Sequence, residues 1–230
     1  MGLLGGWPVG IRVGVDLGQA VDYTAIVTVE AQLQGHELER VTLPPQRGDD
    51  VNYRPKGGEL HFLVRKIERF ELGTPYPTVV DRLVKIGQRL TEERQRPHFW
   101  VDVTGLGRPV VDFMEQAGIR GLTAVSLTGS DRATYEGGTL HLGKSPMVSR
   151  LLLLAQDGRL HLPAGAPQVA ELVQEMKDYQ VRVTEAAHAV YEAKAGAHDD
   201  LVTALGLACW DDSGPRFPTP GHRRYWPARG

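Results

Sequence analysis

The stretch Ile11-Arg12-Val13-Gly14-Val15-Asp16-Leu17-Gly18, with Thr24-Ala25-Ile26-Val27-Thr28-Val29-Glu30 close behind it, sets the frame for everything after it. Both runs are rich in β-branched residues, so 11–16 and 24–30 read as strands. Gly18 and Asp22 between them supply turn chemistry. The result is a hairpin-like start with Asp16 close to its mouth. An aspartate at the finish of a buried strand is held rigidly beside solvent.

Two further acidic positions echo this one. Asp102 ends Phe99-Trp100-Val101, and the pair Asp199-Asp200 opens the apolar segment Leu201-Val202-Thr203-Ala204-Leu205-Gly206-Leu207-Ala208. Each has a plain alternative. Asp16 and Asp102 can be turn residues, and an acidic pair at a helix start caps free N–H groups and suits the helix dipole. Their combination carries more, because two strand ends and one helix start can all face one edge of the same sheet. Convergent carboxylates repel one another unless a cation sits between them. The pattern therefore suggests a divalent-metal site, with metal-assisted hydrolysis as the first chemistry to test.

Around these positions the chain reads as alternating elements. A strand is expected over 37–43, then a loop, then a strand or long bent strand over 59–72. Apolar residues at helical spacing from Val79 to Leu90 predict a helix, and Pro109–Gln116 predicts a second, with Gly118 past its end. A strand at 122–127, a loop and a strand at 139–142 follow. Ser145-Pro146 starts a helix that runs to about Asp157 and is stopped by Gly158. A short strand at 159–163, a helix at 167–178, strands at 181–184 and 189–193, and a last helix from Asp199 to Trp210 complete the series. An opening hairpin followed by alternation predicts an α/β domain with a mixed sheet over residues 1–212. The proline-rich segment 213–230 reads as an extended or disordered tail.

Composition narrows the function classes. The chain has 230 residues, 41% hydrophobic and 23% charged, which suits one large globular domain. A net charge of -2 gives no footprint of a protein that coats DNA, yet it does not exclude a nuclease whose acidic site is neutralised by its metals. Cys209 is the single cysteine, which rules out an intramolecular disulfide and a Cys-rich zinc site. No apolar run approaches the roughly 20 residues that span a bilayer, and the N-terminus lacks signal-peptide character. A cytoplasmic protein with no membrane partner is the expectation.

Other motifs weigh less. Gly138-Thr139-Leu140-His141-Leu142-Gly143-Lys144-Ser145 has the letters of a phosphate-binding loop, but its middle residues alternate as a strand does. Lys144 reads better as a phosphate-backbone contact or a surface lysine. His198, beside the acidic pair, can assist a metal or a phosphate, or be a solvent-facing loop residue. His141 and His161 read as exposed strand residues.

Taken together, these segments resemble the ribonuclease-H-like nuclease superfamily and, within it, the nuclease domain of phage terminase large subunits. The likeness rests on Val13-Gly14-Val15-Asp16-Leu17-Gly18 with Asp22-Tyr23-Thr24-Ala25 behind it, on Val101-Asp102-Val103-Thr104-Gly105-Leu106-Gly107, on Gly143-Lys144-Ser145 before a Leu-rich helix, and on His198-Asp199-Asp200-Leu201-Val202-Thr203-Ala204-Leu205. It implies a mixed sheet flanked by helices on both faces, and a metal-dependent endonuclease acting on double-stranded DNA during phage or prophage packaging. By that resemblance Asp16, Asp102 and Asp199, with Asp200 assisting, hold two Mg²⁺ or Mn²⁺ ions about 4 Å apart, Asp16 bridging both. Lys144, Arg108, Arg65 and His198 are the implied substrate contacts. The implied partners are a packaging ATPase, separate or deleted, and a portal, and the implied location is the host cytoplasm. Asp16 and Asp102 lie 86 residues apart (102 minus 16), which is long for the family the chain resembles, and the resemblance thereby implies an insertion within 31–77. The opening motif is also similar to the first phosphate motif of actin-like ATP-binding proteins. A scaffold without turnover and a junction-resolving nuclease acting as a dimer are further alternatives.

Overall fold

The computed structural model describes residues 6–18, 22–41, 52–183, 189–193 and 198–210. Strands β1 (Trp7–Asp16) and β2 (Ala25–Gln34) pair antiparallel, with Asp16 opposite Ala25 at the mouth of the hairpin. β3 (Glu37–Val41) and β4 (Asn52–Lys56) form a separate two-stranded sheet. β5 (Glu59–Arg69) returns to the main sheet, antiparallel to β2. Then come α1 (Tyr76–Glu92), β6 (His98–Asp102), α2 (Arg108–Gln116), β7 (Leu122–Thr128), β8 (Ala133–Glu136) and β9 (Thr139–Gly143). α3 (Lys144–Gln156), β10 (Leu160–His161), α4 (Pro167–Asp178), the hairpin β11 (Tyr179–Val183) and β12 (Ala189–Ala193), and α5 (Asp200–Cys209) follow.

The main sheet has eight strands in the order β10-β5-β2-β1-β6-β7-β9-β8. β1, β6, β7 and β9 run parallel, so their carboxyl ends share one edge. β1 sits between β2 and β6, which makes the sheet mixed as expected. Helices cover both faces. Ile11, Val13, Val15, Phe99 and Val101 pack with Val79 and Leu83 of α1 and with Val111 and Met114 of α2. Val27, Val29, Phe62 and Trp100 pack on the other face with Met147 and Leu151 of α3, Leu172 of α4, and α5.

Alternation along a strand explains this division. Val13 and Val15 point to α1 and α2, so Gly14 and Asp16 point to the α5 face. Trp100 faces α5 as well, and Asp102, two residues on, shares its side. Every residue of α5 is buried, as befits a helix that is apolar on all sides. It approaches β1 so closely that a Cβ on Gly14 would stand 1.8 Å from the Ala204 carbonyl oxygen and 2.7 Å from the Ala208 nitrogen. Both neighbours are backbone and cannot rotate away. Gly14→Ala should therefore reach or exceed the upper end of the roughly 1–3 kcal/mol that overpacking costs. Thermal unfolding measures it, and an unchanged Tm would contradict the tight β1–α5 contact.

Two elements depart from expectation. β8 occupies a stretch read as loop; all four of its residues are exposed, so no buried alternation marks it, and it is an edge strand held only by β9. β4 was not expected either. The middle of the 31–77 segment (42–51) and the tail 213–230 lie outside the described residues. His161 and His141 are half-buried rather than exposed, and His161 stacks on His61 across β10 and β5 with ring nitrogens 3.0 Å apart. No helix among the described residues is long and apolar enough to cross a membrane.

Candidate active site

Asp16 and Asp102 are directly paired across the parallel strands β1 and β6, both at the carboxyl edge of the sheet. Open α/β sheets bind their ligands at this edge. α5 lies across β1 and β2 with its N-terminus at the same edge, which brings Asp199 and Asp200 to the two strand-end carboxylates. A cavity of about 250 Å³ results, lined by Asp16, Asp102, Asp199, Asp200, Lys144 and His198. Leu17, Gly18, Asp22, Tyr23, Thr104 and Thr203 complete its wall. Hollows of about 550 and 670 Å³ elsewhere are larger, but neither collects carboxylates. Chemistry, rather than size, singles out the small one.

Each acidic side chain has its own environment. Burial pushes the Asp16 carboxyl well above the ordinary carboxylate range, and the charges of Asp102 and Asp199 push the same way, while Lys144 opposes them. Asp102 is also raised by burial, against two hydrogen bonds from Thr104. The Thr104 backbone N–H donates to Asp102 Oδ1 at 2.8 Å and the Thr104 hydroxyl donates to the same oxygen. Thr104 Oγ1 in turn accepts the Leu127 N–H at 2.8 Å, tying the β6 loop to β7. Asp199 accepts from the Lys144 ammonium at 2.7 Å and from the Tyr179 hydroxyl at 2.8 Å, both on Oδ2. Burial, then Asp199, hold the Tyr179 phenol far above its usual titration range, so it remains a donor.

Asp200 is buried and ion-paired with Arg69 of β5, Nε to Oδ2 at 2.7 Å. Burial raises its carboxyl and the Arg69 guanidinium opposes that rise. Arg69 also contacts Glu175 and, at 3.0 Å, Glu171, both on α4. Asp199 does not cap α5 with its side chain. Glu175 Oε2 does so instead, accepting the N–H groups of Leu201 at 3.0 Å and Val202 at 3.1 Å. The helix end that presents the acidic pair is thus fixed by a carboxylate from α4, across a gap in sequence that no local pattern reveals.

Six of the eight residues singled out from sequence share the cavity, and two do not. Arg65 is an exposed β5 residue paired with Glu30, and Arg108 opens α2 paired with Asp112 and Glu115. Neither lines the cavity. Gly143 gives Lys144 its place: a Cβ there would stand 1.8 Å from the Ser130 carbonyl oxygen, so only glycine permits the tight β9–α3 turn that presents the lysine. The letters of the phosphate-loop motif lie on strand β9 and the start of α3, not on a wrapped loop. Sequence reasoning missed Thr104, Tyr179, Arg69, Glu175 and Tyr23. Of these only Thr104 had a local signal, as the second residue after an aspartate at a strand end.

No family model matches the chain, and no curated protein does. Solved structures do. The large terminase nuclease from thermophilic phage G20c superposes with a TM-score of 0.53 at 18% identity, over 86% of this chain and 80% of that one. The same nuclease with bound magnesium gives 0.55 at 18% identity, over 88% and 82%. The large terminase nuclease domain of Thermus phage P74-26 gives 0.50 at 16% identity, over 86% and 77%. The fold is ribonuclease-H-like. Within this ribonuclease-H-like sheet, Asp16 and Asp102 stand on adjacent parallel strands and α5 closes the site from one face.

The donor set also bears on a metal. Four carboxylates supply oxygen alone, which suits Mg²⁺ or Mn²⁺ better than zinc. The raised carboxyl of Asp16 marks a place where added positive charge would be favourable. As placed, however, no three acidic or imidazole groups among the described residues stand together to hold an ion. Asp199 is engaged with Lys144 and Asp200 with Arg69.

Proposed function

We propose that the carboxylate cavity hydrolyses phosphodiester bonds in double-stranded DNA, and that the chain acts as a divalent-cation-dependent endonuclease of the terminase type in phage or prophage packaging. The convergence of Asp16, Asp102, Asp199 and Asp200 on one cavity at the carboxyl edge of the sheet carries this reading. The fold shared with solved terminase nucleases, one of them with bound magnesium, supports it. Asp16, Asp102 and Asp199 would hold the cation, with Asp200 assisting. When bound, such ions supply charge stabilisation for the attacking and leaving oxygens of the phosphate and lower the pKa of the attacking water.

The chain's own residues do the positioning. Thr104 fixes one oxygen of Asp102, and Arg69 with Glu175 fixes the end of α5. Lys144 places a positive charge in the cavity wall beside any phosphate that enters. His198 is exposed at the rim, its ring edge-on to Tyr23 at 4.8 Å.

Incubation with supercoiled plasmid tests the reading. Nicked and linear DNA should accumulate with Mn²⁺ and not with EDTA; intact plasmid under every divalent cation would refute it. Thr104→Val keeps the side-chain shape but removes the hydroxyl, leaving Asp102 with one donor fewer and the Leu127 N–H unpaired. A loss of about 1–2 kcal/mol in stability is expected, together with cleavage slowed by about tenfold. Unaltered kinetics in that variant would show that Asp102 needs no fixing.

A further inference from the structure

The wall of the acidic cavity includes a cation of the protein itself. Lys144 Nζ lies 2.7 Å from Asp199 Oδ2, and the Tyr179 hydroxyl donates to the same oxygen at 2.8 Å. Two donors on one carboxylate oxygen, one of them charged, leave that oxygen little capacity for a third partner. The lysine and aspartate side chains are 36% and 27% exposed, so the pair is only partly screened by solvent. Lys144 is delivered to this point by backbone geometry, through the glycine-dependent β9–α3 turn, rather than by a long flexible loop.

We propose that Lys144 is the resident counter-ion of the carboxylate cavity, and that it competes with the divalent cation for Asp199. This rests on the reading above, that the cavity takes such a cation. Lys144 holds Asp199 and Arg69 holds Asp200, so two of the four carboxylates are paired individually and mutual repulsion is limited. A divalent ion on Oδ2 requires the ammonium to leave it, and one on either oxygen of Asp199 weakens its hold, because the two cations repel each other at that range. The lysine thereby sets a threshold for loading: it stabilises the cation-free site and lowers the affinity of the loaded one. A lysine that only anchored α3 to α5 would behave oppositely, since its removal would loosen the site and weaken binding.

Calorimetric titration of untagged protein with Mn²⁺ distinguishes these roles. Lys144→Met should bind Mn²⁺ about tenfold more tightly than wild type at low salt and show a lower Tm without metal. Lys144→Arg, which keeps the charge, should stay near wild type in both. Asp16→Asn should abolish the binding, which assigns the heat to the cavity. Unchanged or weaker Mn²⁺ binding by Lys144→Met, with wild type still binding, overturns the competition while leaving the cation site intact. Absence of Mn²⁺ binding by wild type and both lysine variants overturns the cation site and this inference with it. If Lys144→Met does not fold, wild-type crystals grown with and without Mn²⁺ give the same answer. The Lys144–Asp199 contact should be present without the ion and broken with it, and a contact retained beside a bound ion contradicts the proposal.

Discussion

Replacing Asp16 by asparagine is expected to abolish phosphodiester cleavage and, without metal, to make the protein more stable. The two effects have one origin. Asp16 lies at the carboxyl end of the central strand with Asp102 beside it and α5 above it, so its charge is desolvated and faces other carboxylates. A carboxyl whose folded-state pKa is raised holds its proton longer in the folded than in the unfolded chain. The folded state then suffers no penalty below the ordinary value of 3.8, and loses stability as pH rises from there through the higher folded value. The penalty therefore grows with pH above 3.8, and asparagine removes it. Metal-free Tm should rise by at least about 2 °C, the shift that roughly 1 kcal/mol produces in a chain of this size. The gain should vanish near pH 3. Cleavage should fall by roughly a thousandfold or more, since under the proposed function Asp16 would hold the cation that supplies several kcal/mol of charge stabilisation. Circular dichroism melts across pH, run beside a plasmid assay, check both halves. A variant that is less stable at pH 7 and still cuts would remove Asp16 from the site.

Arg69→Met is expected to cause the largest loss of stability of any single change outside the apolar core. Arg69 binds Asp200, Glu175 and Glu171 at once, and the first two are buried. Methionine preserves much of the stem's packing, yet leaves two buried carboxylates without their cation. Breaking such a pair from one side costs about 3–5 kcal/mol, which corresponds to a Tm lower by about 6–20 °C. Activity should fall too, because Glu175 caps Leu201 and Val202 and so sets where α5 presents Asp199 and Asp200. Glu175→Gln separates the contributions: the amide oxygen can still accept the α5 N–H groups, while its ion pair with Arg69 is gone. Its Tm should lie between those of wild type and Arg69→Met. A Tm for Arg69→Met within 2 °C of wild type would show that the cluster is solvated.

The hairpin of β1 and β2 and the ends of β1, β6 and β9 were legible in sequence because buried strands carry apolar or alternating runs that stop at a polar residue or a glycine. Asp16 and Asp102 advertised themselves by ending such runs, and Asp199-Asp200 by opening an apolar helix. Their pairing in space was legible only as an expectation, since it depends on β1 and β6 being neighbours in parallel register. β8 was not legible, because an edge strand with four exposed residues carries no buried periodicity. The Arg69–Glu175–Asp200 cluster was hidden for a different reason. Its members lie on β5, α4 and α5, with Arg69 and Glu175 106 positions apart, and ion pairs leave no period along a chain. Tyr179 was equally silent: an aromatic residue at a helix end reads as core, and only the fold shows its hydroxyl on Asp199. Arg65 and Arg108 are taken up by ion pairs, with Glu30 and with Asp112 and Glu115, and such pairings hold them away from the cavity without leaving a mark in the sequence.

Anomalous diffraction from a crystal soaked in Mn²⁺ tests the central claim most directly. A manganese peak bonded to Asp16 and at least one of Asp102, Asp199 and Asp200, at the carboxyl edge of β1 and β6, is the predicted result. Manganese bound elsewhere on the surface while this cavity stays empty, with Lys144 still on Asp199, would contradict it.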